Sequence, residues 1–382
     1  MGTSGDYSPF SILDTAGTAF DAEHLRGLDV DLVRAFAKEH GHALEFVRFR
    51  WPELREAMRD GRFDVAIGGI TIRPERSVRG IFTRPVVEST SYALVRDAAR
   101  FPEAASLATA RIAVNAGGHL ERVARAQFPR AHVVAVPDNT APPRLLAAGE
   151  VDAALTDDAE APLWARQVPG SRTLGPLTRD VKAFWVRPER PDLAAALDRW
   201  LALREADGTL AARRAEWLAT QTSPPVAAPL SALLAAIRER LEMAPLVAEA
   251  KRARELPVEA PEQEARVLAA AVATARETAA RRGRPPLPDE RVRALFRAQI
   301  EAGKAIQAHA LAGPPSSEPP FDLDTELRPA LARVSERLID RWLELPPHPD
   351  AAEVRREAAE TLAPAGLSSV SIDAIAAAIA EL

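Results

Sequence analysis

The first ten residues after Met1 place an acid and a phenol side by side. The stretch GTSGDYSPFS sets Asp6 next to Tyr7, between Gly5 and the turn-forming pair Ser8-Pro9. Gly, Asp and Pro together are typical of a strand that ends in a loop, and polar groups at strand ends often meet a ligand. The chain is therefore predicted to begin with a binding loop.

A second acid, Glu160, follows the apolar stretch VDAALTD at 151–157. A carboxylic acid with a raised pKa in a closed, partly apolar cleft can deliver a proton to a leaving group. An acid at the start of a helix, favoured there by the helix dipole, is the alternative interpretation. The residues by themselves leave both interpretations open.

Two bases, Arg240 and Lys251, are eleven residues apart in a stretch with helical spacing. About three helical turns separate them, so the spacing predicts that they lie on roughly one helix face. Such a pair could bind two carboxylates. The alternative is two solvated bases on an Ala-rich helix.

The composition excludes several classes of protein. The 382 residues are 47% hydrophobic and 27% charged, with a net charge of −5, which argues against general nucleic-acid binding. The densest basic run, RRGR at 281–284, is interpreted as a solvated helix end. There is no cysteine, and the seven histidines show no H-x-x-x-H spacing, so no metal and no cofactor are predicted. No apolar run reaches the roughly 20 residues that span a bilayer, and no membrane association is predicted.

The first half of the chain alternates short apolar stretches with amphipathic ones. This alternation predicts an α/β fold with a parallel sheet, in which ligands bind at the carboxyl ends of strands. Helices are predicted at 28–41 and 119–129. Strands are predicted at 43–49, 63–70, 111–118, 132–137, 151–157 and 182–188.

From about residue 230 the pattern changes to helical spacing without strand signals. We predict an all-α domain over 230–382, after a Pro-rich linker at 221–229. Its helical stretches are predicted at 230–257, 262–282, 288–312, 322–345 and 350–382.

Residues 1–220 resemble the type II periplasmic solute-binding proteins. The resemblance rests on GLDVDLVRAFAKEHG (27–41), on FDVAIGGITIRPERSVRGIF (63–82) and on LTDDAEAPLWA (155–165). It implies two α/β lobes that close over a small ligand, lobe 1 at about 1–93 and 186–220 and lobe 2 at about 94–185.

The same resemblance implies a carboxylate-binding group made by Gly69-Ile70-Thr71 and Arg76. In the family, backbone N–H groups and a hydroxyl act there together with a guanidinium, which can bind a carboxylate through two hydrogen bonds. A surface arginine on a helix is the alternative interpretation of Arg76.

Within that fold, the opening GTSGDYSPF resembles the cyclohexadienyl dehydratases, and so do NAGGHLERVAR (115–125), PDNT (137–140), LTDDAEA (155–161) and Lys182. These enzymes convert prephenate, and often arogenate, to phenylpyruvate or phenylalanine. The resemblance implies that Glu160 gives the proton to the leaving hydroxyl and that Lys182 attracts a carboxylate. The residues implied to hold the ring and its hydroxyl are Asp6, Tyr7, Trp51 and Asn115.

Two features depart from the dehydratase pattern or stay open. His119-Leu120 stands where family members have Thr-Asn, which puts the choice between prephenate and arogenate in doubt. For Trp51, a place in the core is an equal alternative. In the family a strand and an export signal precede the opening loop, so we expect a periplasmic or secreted native protein whose start is trimmed or misassigned here.

Residues 230–382 resemble the exported gamma subclass of AroQ-type chorismate mutases, chiefly in IRERLEMAPLVAEAKRARELPVE (237–259) and ALFRAQIEAGKAIQ (294–307). These enzymes hold chorismate in its compact form and donate to the breaking ether oxygen, without a covalent intermediate. The resemblance implies that Arg240 and Arg328 bind the two carboxylates. It assigns the ether oxygen to Lys251 and Gln307, and the ring hydroxyl to Glu264.

This half also departs from its family. Gln263 stands where a substrate-binding arginine is usual, and Ala260 stands at the usual aspartate. One lost charge-assisted contact costs roughly 1.5–3 kcal/mol, or about 10- to 100-fold in binding or rate. The mutase is therefore expected to be weakened, or to survive only as a scaffold.

The sequence as a whole predicts a bifunctional enzyme that takes chorismate through prephenate to phenylpyruvate, because one half would make the substrate of the other. The alternative is a solute-binding module for a small carboxylate or amino acid, with a helical oligomerisation domain. Chorismate and prephenate are the predicted partners, and a homo-oligomer stays open.

Overall fold

The computed structural model describes residues 1–14, 20, 22–218, 228–316 and 318–380. These residues form two compact units. Unit 1 comprises Met1–Thr71 and Pro85–Val226, and unit 2 comprises Ile72–Arg84 and Ala227–Leu382. The predicted linker at 221–229 falls largely outside the described residues. The predicted domain and lobe bounds stay predictions.

The strands alternate with helices through the first half of the chain. Their bounds are β1 Gly2–Thr3, β2 Asp6–Tyr7, β3 Ser11–Leu13, β4 Leu25–Arg26, β5 Val47–Arg48, β6 Val65–Ala66, β7 Ile81–Phe82, β8 Val87–Val95, β9 Arg111–Asn115, β10 His132–Val136, β11 Ala153–Asp157, β12 Arg172–Lys182 and β13 Trp185–Val186. The helices of this half are α1 Leu28–Glu39, α2 Leu54–Arg59, α3 Pro74–Arg79, α4 His119–Gln127, α5 Ala141–Ala148, α6 Ala161–Gln167, α7 Pro191–Ala206 and α8 Thr209–Trp217.

Unit 1 contains two mixed sheets and a small antiparallel one. In the first sheet β5, β1, β6 and β13 lie side by side, with β1 parallel to both β5 and β6. The second has the order β10-β9-β11-β8-β12, with β9 parallel to β10 and β11. Both of its faces are covered by apolar clusters, as expected of strands without polar alternation. The small sheet, β2-β3-β4, holds the opening loop.

The second sheet sets the position of the chemically interesting residues. Since β9 and β11 are parallel and adjacent, their carboxyl ends meet at one edge, where Asn115 and Asp157 are the last residues of these strands. The antiparallel neighbour β8 brings Ser91 opposite Asp157. β8 belongs entirely to this sheet, and the lobe boundary predicted near residues 93 and 94 falls within it.

Unit 2 is helical apart from the short strand β7. Its remaining helices are α9 Pro229–Glu242, α10 Ala244–Ala253, α11 Pro261–Arg282, α12 Asp289–Ala312, α13 Arg328–Trp342, α14 Ala351–Leu362 and α15 Ser369–Ala380. Leu233, Leu295, Phe296, Ile339 and Trp342 are among the buried residues of its main core. No helix in the described part of the chain is both long and apolar enough to cross a membrane.

The prediction of one helix over 230–257 is wrong. The stretch is divided at Met243 into α9 and α10. Pro245 lies in the first turn of α10, and a proline has no N–H to continue the hydrogen-bond ladder of the preceding helix. Arg240 and Lys251 therefore lie near the ends of two consecutive helices and not on one face of a single helix.

The segment Ile72–Arg84 is bound within unit 2 by side chains of α13 and its carboxyl end. Arg333 donates to the main-chain oxygen of Val78 at 2.9 Å, and Arg337 donates to that of Phe82. Arg84 is fully buried and forms two hydrogen bonds with Glu344, at 3.0 and 3.1 Å. Val78 packs into an apolar cluster with Met243, Leu327 and Val334, among others.

Candidate active sites

Glu160 lies immediately after β11 and before α6, with only 4% of its surface exposed. Its Oε1 accepts a hydrogen bond from Asn139 Nδ2 at 2.9 Å. Burial raises the pKa of Glu160 well above its ordinary value, and Asp157 adds to this rise while Lys182 opposes it. A raised pKa favours the protonated carboxyl, which is the form that a general acid needs.

Glu160 is the N-cap residue of α6, so the alternative of an acid favoured at the start of a helix stays open beside the catalytic role. Its side chain makes no hydrogen bond to the amides of the first turn of α6. In the turn that precedes α6, Asp157 Oδ1 accepts from the N–H groups of Ala159 and Glu160, both at 3.1 Å. Among the described residues, the Glu160 carboxyl accepts its side-chain hydrogen bond from Asn139.

Tyr7, Asp157 and Lys182 form a buried cluster beside Glu160. The Tyr7 hydroxyl donates to Asp157 Oδ2, and Lys182 Nζ lies 2.6 Å from that hydroxyl and 2.9 Å from the same carboxylate oxygen. Burial, followed by the charge of Asp157, raises the pKa of Tyr7 well above its ordinary value. The lysine predicted to attract a substrate carboxylate therefore already has a carboxylate of the chain beside it.

Asp6 and Trp51 lie next to this cluster. Trp51 is buried, donates from Nε1 to Asp6 Oδ1 at 3.1 Å, and meets the Tyr7 ring edge-on at 5.8 Å between centroids. Asn139 Nδ2 also reaches the main-chain oxygen of Asp6, at 3.3 Å. Trp51 thus combines the core position with contact to two predicted site residues.

Gly69 does not present a free backbone donor. Its N–H, like that of Gly68, donates to Asp29 Oδ2 at 2.8 Å. The position requires glycine for another reason: its φ is +71°, and a Cβ there would lie 2.7 Å from Cε1 of Tyr7. Thr71 is buried and pairs with Lys182 in an isolated antiparallel bridge.

Asn115 ends β9 with a buried side chain whose amide nitrogen and oxygen have no partner within the described residues. Unpaired buried amides are costly, so such a group is well suited to a ligand. Four residues later His119 starts α4, with Nε2 2.9 Å from Asp180 Oδ1. Although burial opposes it, this pairing and two hydroxyl donors hold the pKa of Asp180 below its usual range.

Arg76 is 3% exposed in α3, so the interpretation as a surface arginine is wrong. Its neighbours Glu75 and Ser77 are buried as well. Arg76 belongs to the segment of unit 2 that α13 holds. Its assignment to a substrate carboxylate stays a prediction.

In unit 2, Arg240 is enclosed by neutral groups. Its Nε donates to Ser335 Oγ at 3.2 Å, Nη1 lies 3.4 Å from Gln299 Oε1, and the guanidinium lies 5.4 Å from the ring centroid of Phe296. Burial lowers the pKa of Arg240 to about 10. A buried cation without a counter-charge is a natural receptor for a carboxylate.

Lys251 and Gln307, predicted to donate to the ether oxygen, lie on α10 and α12. Lys251 Nζ donates to the main-chain oxygen of Val258 at 2.7 Å, and burial lowers its pKa. The Oε1 atom of Gln307 is buried without a partner among the described residues.

The other three predicted mutase residues have partners on the protein. Gln263 Oε1 accepts from Arg266 on the same helix, at 2.9 and 3.1 Å. Glu264 Oε1 accepts from the N–H of Ala260 at 3.3 Å, in the manner of a capping box. Arg328 is exposed and paired with Asp324. Their roles in binding substrate remain predictions.

Four residues of these sites were not singled out from the sequence: Asp29, Asp157, Asn139 and Gln299. Asp157 and Asn139 lie within the quoted motifs LTDDAEA and PDNT, which were the available signal. Asp29 lies in GLDVDL, where an acid in the first turn of a helix has an ordinary explanation. No local pattern marks Gln299.

Comparisons with known proteins match the first and the later part of the chain to two different families. Residues 1–220 match the bacterial extracellular solute-binding proteins, family 3, and residues 231–308 match chorismate mutase type II. The cyclohexadienyl dehydratase of Pseudomonas aeruginosa is 31% identical over 225 residues, which cover 57% of this chain and 81% of that relative. The ABC transporter arginine-binding protein 1 of Escherichia coli K12 is 24% identical over 223 residues, covering 57% and 89%.

Solved structures give the same fold. The ancestral amino acid-binding protein AncCDT-1, described as a precursor of cyclohexadienyl dehydratase, is 29% identical with a TM-score of 0.52, over 57% of this chain and 93% of that one. An ancestral arginine-binding protein bound to glutamine is 26% identical with a TM-score of 0.51, over 56% and 95%. The predicted fold class, a type II binding-protein-like α/β region before a helical one, is confirmed. The chain therefore belongs to the bacterial extracellular solute-binding proteins of family 3, and it carries a chorismate mutase type II domain after that region.

Proposed function

We propose that this chain is a bifunctional enzyme of phenylalanine synthesis, which rearranges chorismate to prephenate and then converts prephenate to phenylpyruvate. The observation that carries the second step is the buried Glu160 carboxyl, whose pKa burial raises well above its ordinary value. A protein that only binds an amino acid has no need of a neutral acid in its cleft.

In the dehydratase step, the ring of prephenate loses its hydroxyl group and a carboxylate and becomes aromatic. Glu160 gives its proton to the departing hydroxyl, which leaves as water. The electrons of the breaking bond to the carboxylate enter the ring, and that group leaves as carbon dioxide. Glu160 then regains a proton from solvent.

Asp157 and Asn115 each support this assignment. After burial, the charge of Asp157 makes ionisation of Glu160 less favourable, which favours the acid form. The buried amide of Asn115 supplies a donor and an acceptor that no described residue uses. Arogenate would react in the same way to give phenylalanine.

In the mutase step, Arg240 would bind one carboxylate of chorismate, and Lys251 would donate to the breaking ether oxygen. The reaction forms no bond to the protein, so the work is orientation and stabilisation of developing negative charge. The buried guanidinium of Arg240, which has no carboxylate partner among the described residues, favours this function over a purely structural helical domain.

A second candidate is a solute-binding module, favoured by the likeness to an arginine-binding protein. The deciding experiment supplies prephenate and chorismate in separate reactions and follows the absorbance of phenylpyruvate. We expect phenylpyruvate from both substrates. Binding of amino acids without conversion of prephenate would favour the module. We infer a periplasmic or secreted location from the membership in a family of extracellular proteins.

A further inference from the structure

Gln299, on α12, has a buried amide with only one of its two ends satisfied. The residue is 0% exposed. Its Oε1 accepts from Arg240 Nη1 at 3.4 Å, while its Nε2 has no partner among the described residues. A buried N–H donor without an acceptor costs free energy, so the free Nε2 calls for an explanation.

The charge environment of Arg240 differs from that of other arginines in unit 2. Arg337 is paired with Glu239 at 2.8 Å and Arg84 with Glu344 at 3.0 Å. Arg240 has only the Ser335 hydroxyl, the Gln299 amide and the face of Phe296, and no ion pair within the described parts of the chain. Among the described residues, these two arginines therefore have a carboxylate partner and Arg240 has none.

A neutral amide in this position has a specific advantage. A carboxylate would orient the guanidinium equally well, but it would also neutralise it and repel an incoming anion. The carbonyl oxygen of an amide orients Arg240 and leaves its positive charge available. The other end of the same amide can then donate to the anion that the guanidinium binds.

We propose that Gln299 is a positioning and binding residue of the helical site: Oε1 holds Arg240, and Nε2 donates to the same substrate carboxylate. This rests on the proposed mutase function. The ligand is a carboxylate of chorismate, bound jointly by one guanidinium and one amide.

The test compares two variants of similar size in the full-length protein. Gln299→Glu keeps the acceptor but adds a negative charge beside Arg240, and we expect the KM for chorismate to rise at least ~30-fold at pH 7.5. It should recover in part near pH 5, where protonation removes that charge. Gln299→Met loses both hydrogen bonds without gaining charge, so a rise of about 10-fold that is insensitive to pH is expected.

Circular dichroism melting checks that both variants fold, and the wild-type pH profile is the reference. If Gln299→Glu does not fold, the KM of Gln299→Met carries the test. Two outcomes would overturn the proposed role of Gln299 while the mutase proposal stands. In the first, both variants have the chorismate KM of the wild type. In the second, KM rises equally in both variants and Gln299→Glu does not recover near pH 5. A wild type that neither consumes nor binds chorismate by calorimetry would overturn the mutase proposal and this inference together.

Discussion

Glu160 combines a carboxyl whose pKa burial raises with one side-chain hydrogen bond among the described residues, from Asn139. A group with this environment makes turnover depend on pH in one direction. Because the acid form reacts, turnover at saturating prephenate should fall as the pH rises through the raised pKa of Glu160.

Replacing the acid should remove that dependence together with the activity. Glu160→Gln keeps the shape but has no proton to give, so prephenate turnover should fall at least ~100-fold while prephenate still binds. Asp158→Asn is the matched control, since Asp158 is a neighbouring, partly buried carboxyl whose Oδ1 accepts from Ser89. Near-normal turnover in Glu160→Gln, measured as phenylpyruvate formed, would end the assignment.

Gly69 acts through the ring that packs against it. In Gly69→Ala the new Cβ would lie 2.7 Å from Tyr7 and 2.9 Å from Phe10, so both rings must shift. We expect kcat/KM for prephenate to fall at least ~10-fold, the scale of a misplaced site residue. Gly41→Ala is the control, because Gly41 has nearly the same φ, +66°, with nothing within 4 Å.

The two alanine variants separate the effect of backbone strain at a positive φ from the effect of displacing the Tyr7 and Phe10 rings. Positive φ should cost each of them roughly 1–2 kcal/mol of stability, which thermal melting can compare. Only Gly69→Ala should also lose activity. Equal activities would mean that Tyr7 tolerates the shift.

At the scale of elements, the first turn of α1 anchors the loop after β6. Asp29 is buried there and accepts from the N–H groups of Gly68 and Gly69, yet burial raises its pKa to about 6. The folded state holds the proton of Asp29 more tightly than the unfolded state does. The stability from this group is therefore greatest below about pH 4 and is lost as the pH rises to about 6.

Asp29→Asn should remove that part of the pH dependence. From pH 4 to pH 7, the free energy of unfolding of the wild type minus that of the variant should fall by up to about 3 kcal/mol, the equivalent of the shift from 3.8 to about 6. Urea unfolding at several pH values measures the difference. If the free energies of unfolding of the wild type and of Asp29→Asn change in parallel with pH across this range, the assignment of a buried, ionising carboxyl at Asp29 is contradicted.

Helices and strands could be predicted from the sequence where the local spacing of apolar residues and the Gly or Pro at their ends determine them. The strand–helix alternation gave β9, β10 and β11 nearly at their observed bounds, and Gly or Pro marked the ends of α11 and α12. The two-residue strands of the opening sheet were missed, because pairs such as Asp6-Tyr7 carry no periodicity. The break at Pro245 was visible in principle, but the helical spacing on both sides concealed it.

The site was predictable in part for the same reason. Glu160 follows an apolar strand and could be singled out from sequence. Its pKa depends on Asp157, and the cluster depends on Tyr7, which is 150 residues from Asp157 along the chain. Contacts between residues so far apart in the sequence are determined by the tertiary structure. Nothing local separates a buried Gln299 from any other glutamine on a helix.

At the scale of the whole molecule, we predict that Gln263 limits the rate of the proposed mutase. Gln263→Arg should supply the missing cation and raise kcat/KM for chorismate by up to ~10- to 100-fold, the value of one charged hydrogen bond. Dehydratase activity should not change. Glu262→Gln changes the charge equally at a solvent-exposed neighbour and should have little effect.

Lys251→Ala should abolish the mutase with either residue at position 263, because its ammonium is the cation assigned to the ether oxygen. The prephenate formed from chorismate is measured by mass spectrometry for the wild type, for Gln263→Arg, and for Lys251→Ala in each of these two backgrounds. If chorismate is not consumed by the wild type or by Gln263→Arg, the helical domain is a scaffold.

The segment Ile72–Arg84 has a consequence for modularity. It lies in the middle of the solute-binding region of the sequence, but its partners are Arg333, Arg337 and Glu344. A chain truncated after Leu218 would keep the segment and lose all three, so that Arg84 loses Glu344 and Val78 loses its apolar cluster. Such a chain should melt at lower temperature than full-length protein and aggregate, and Val78→Ser should restore solubility. An equally soluble and stable truncated protein would show that the two halves can be exchanged freely, as parts from different genes. If the truncated protein is less stable, the solute-binding region needs the helical domain in order to stay folded, and the two cannot be separated by cutting at the linker.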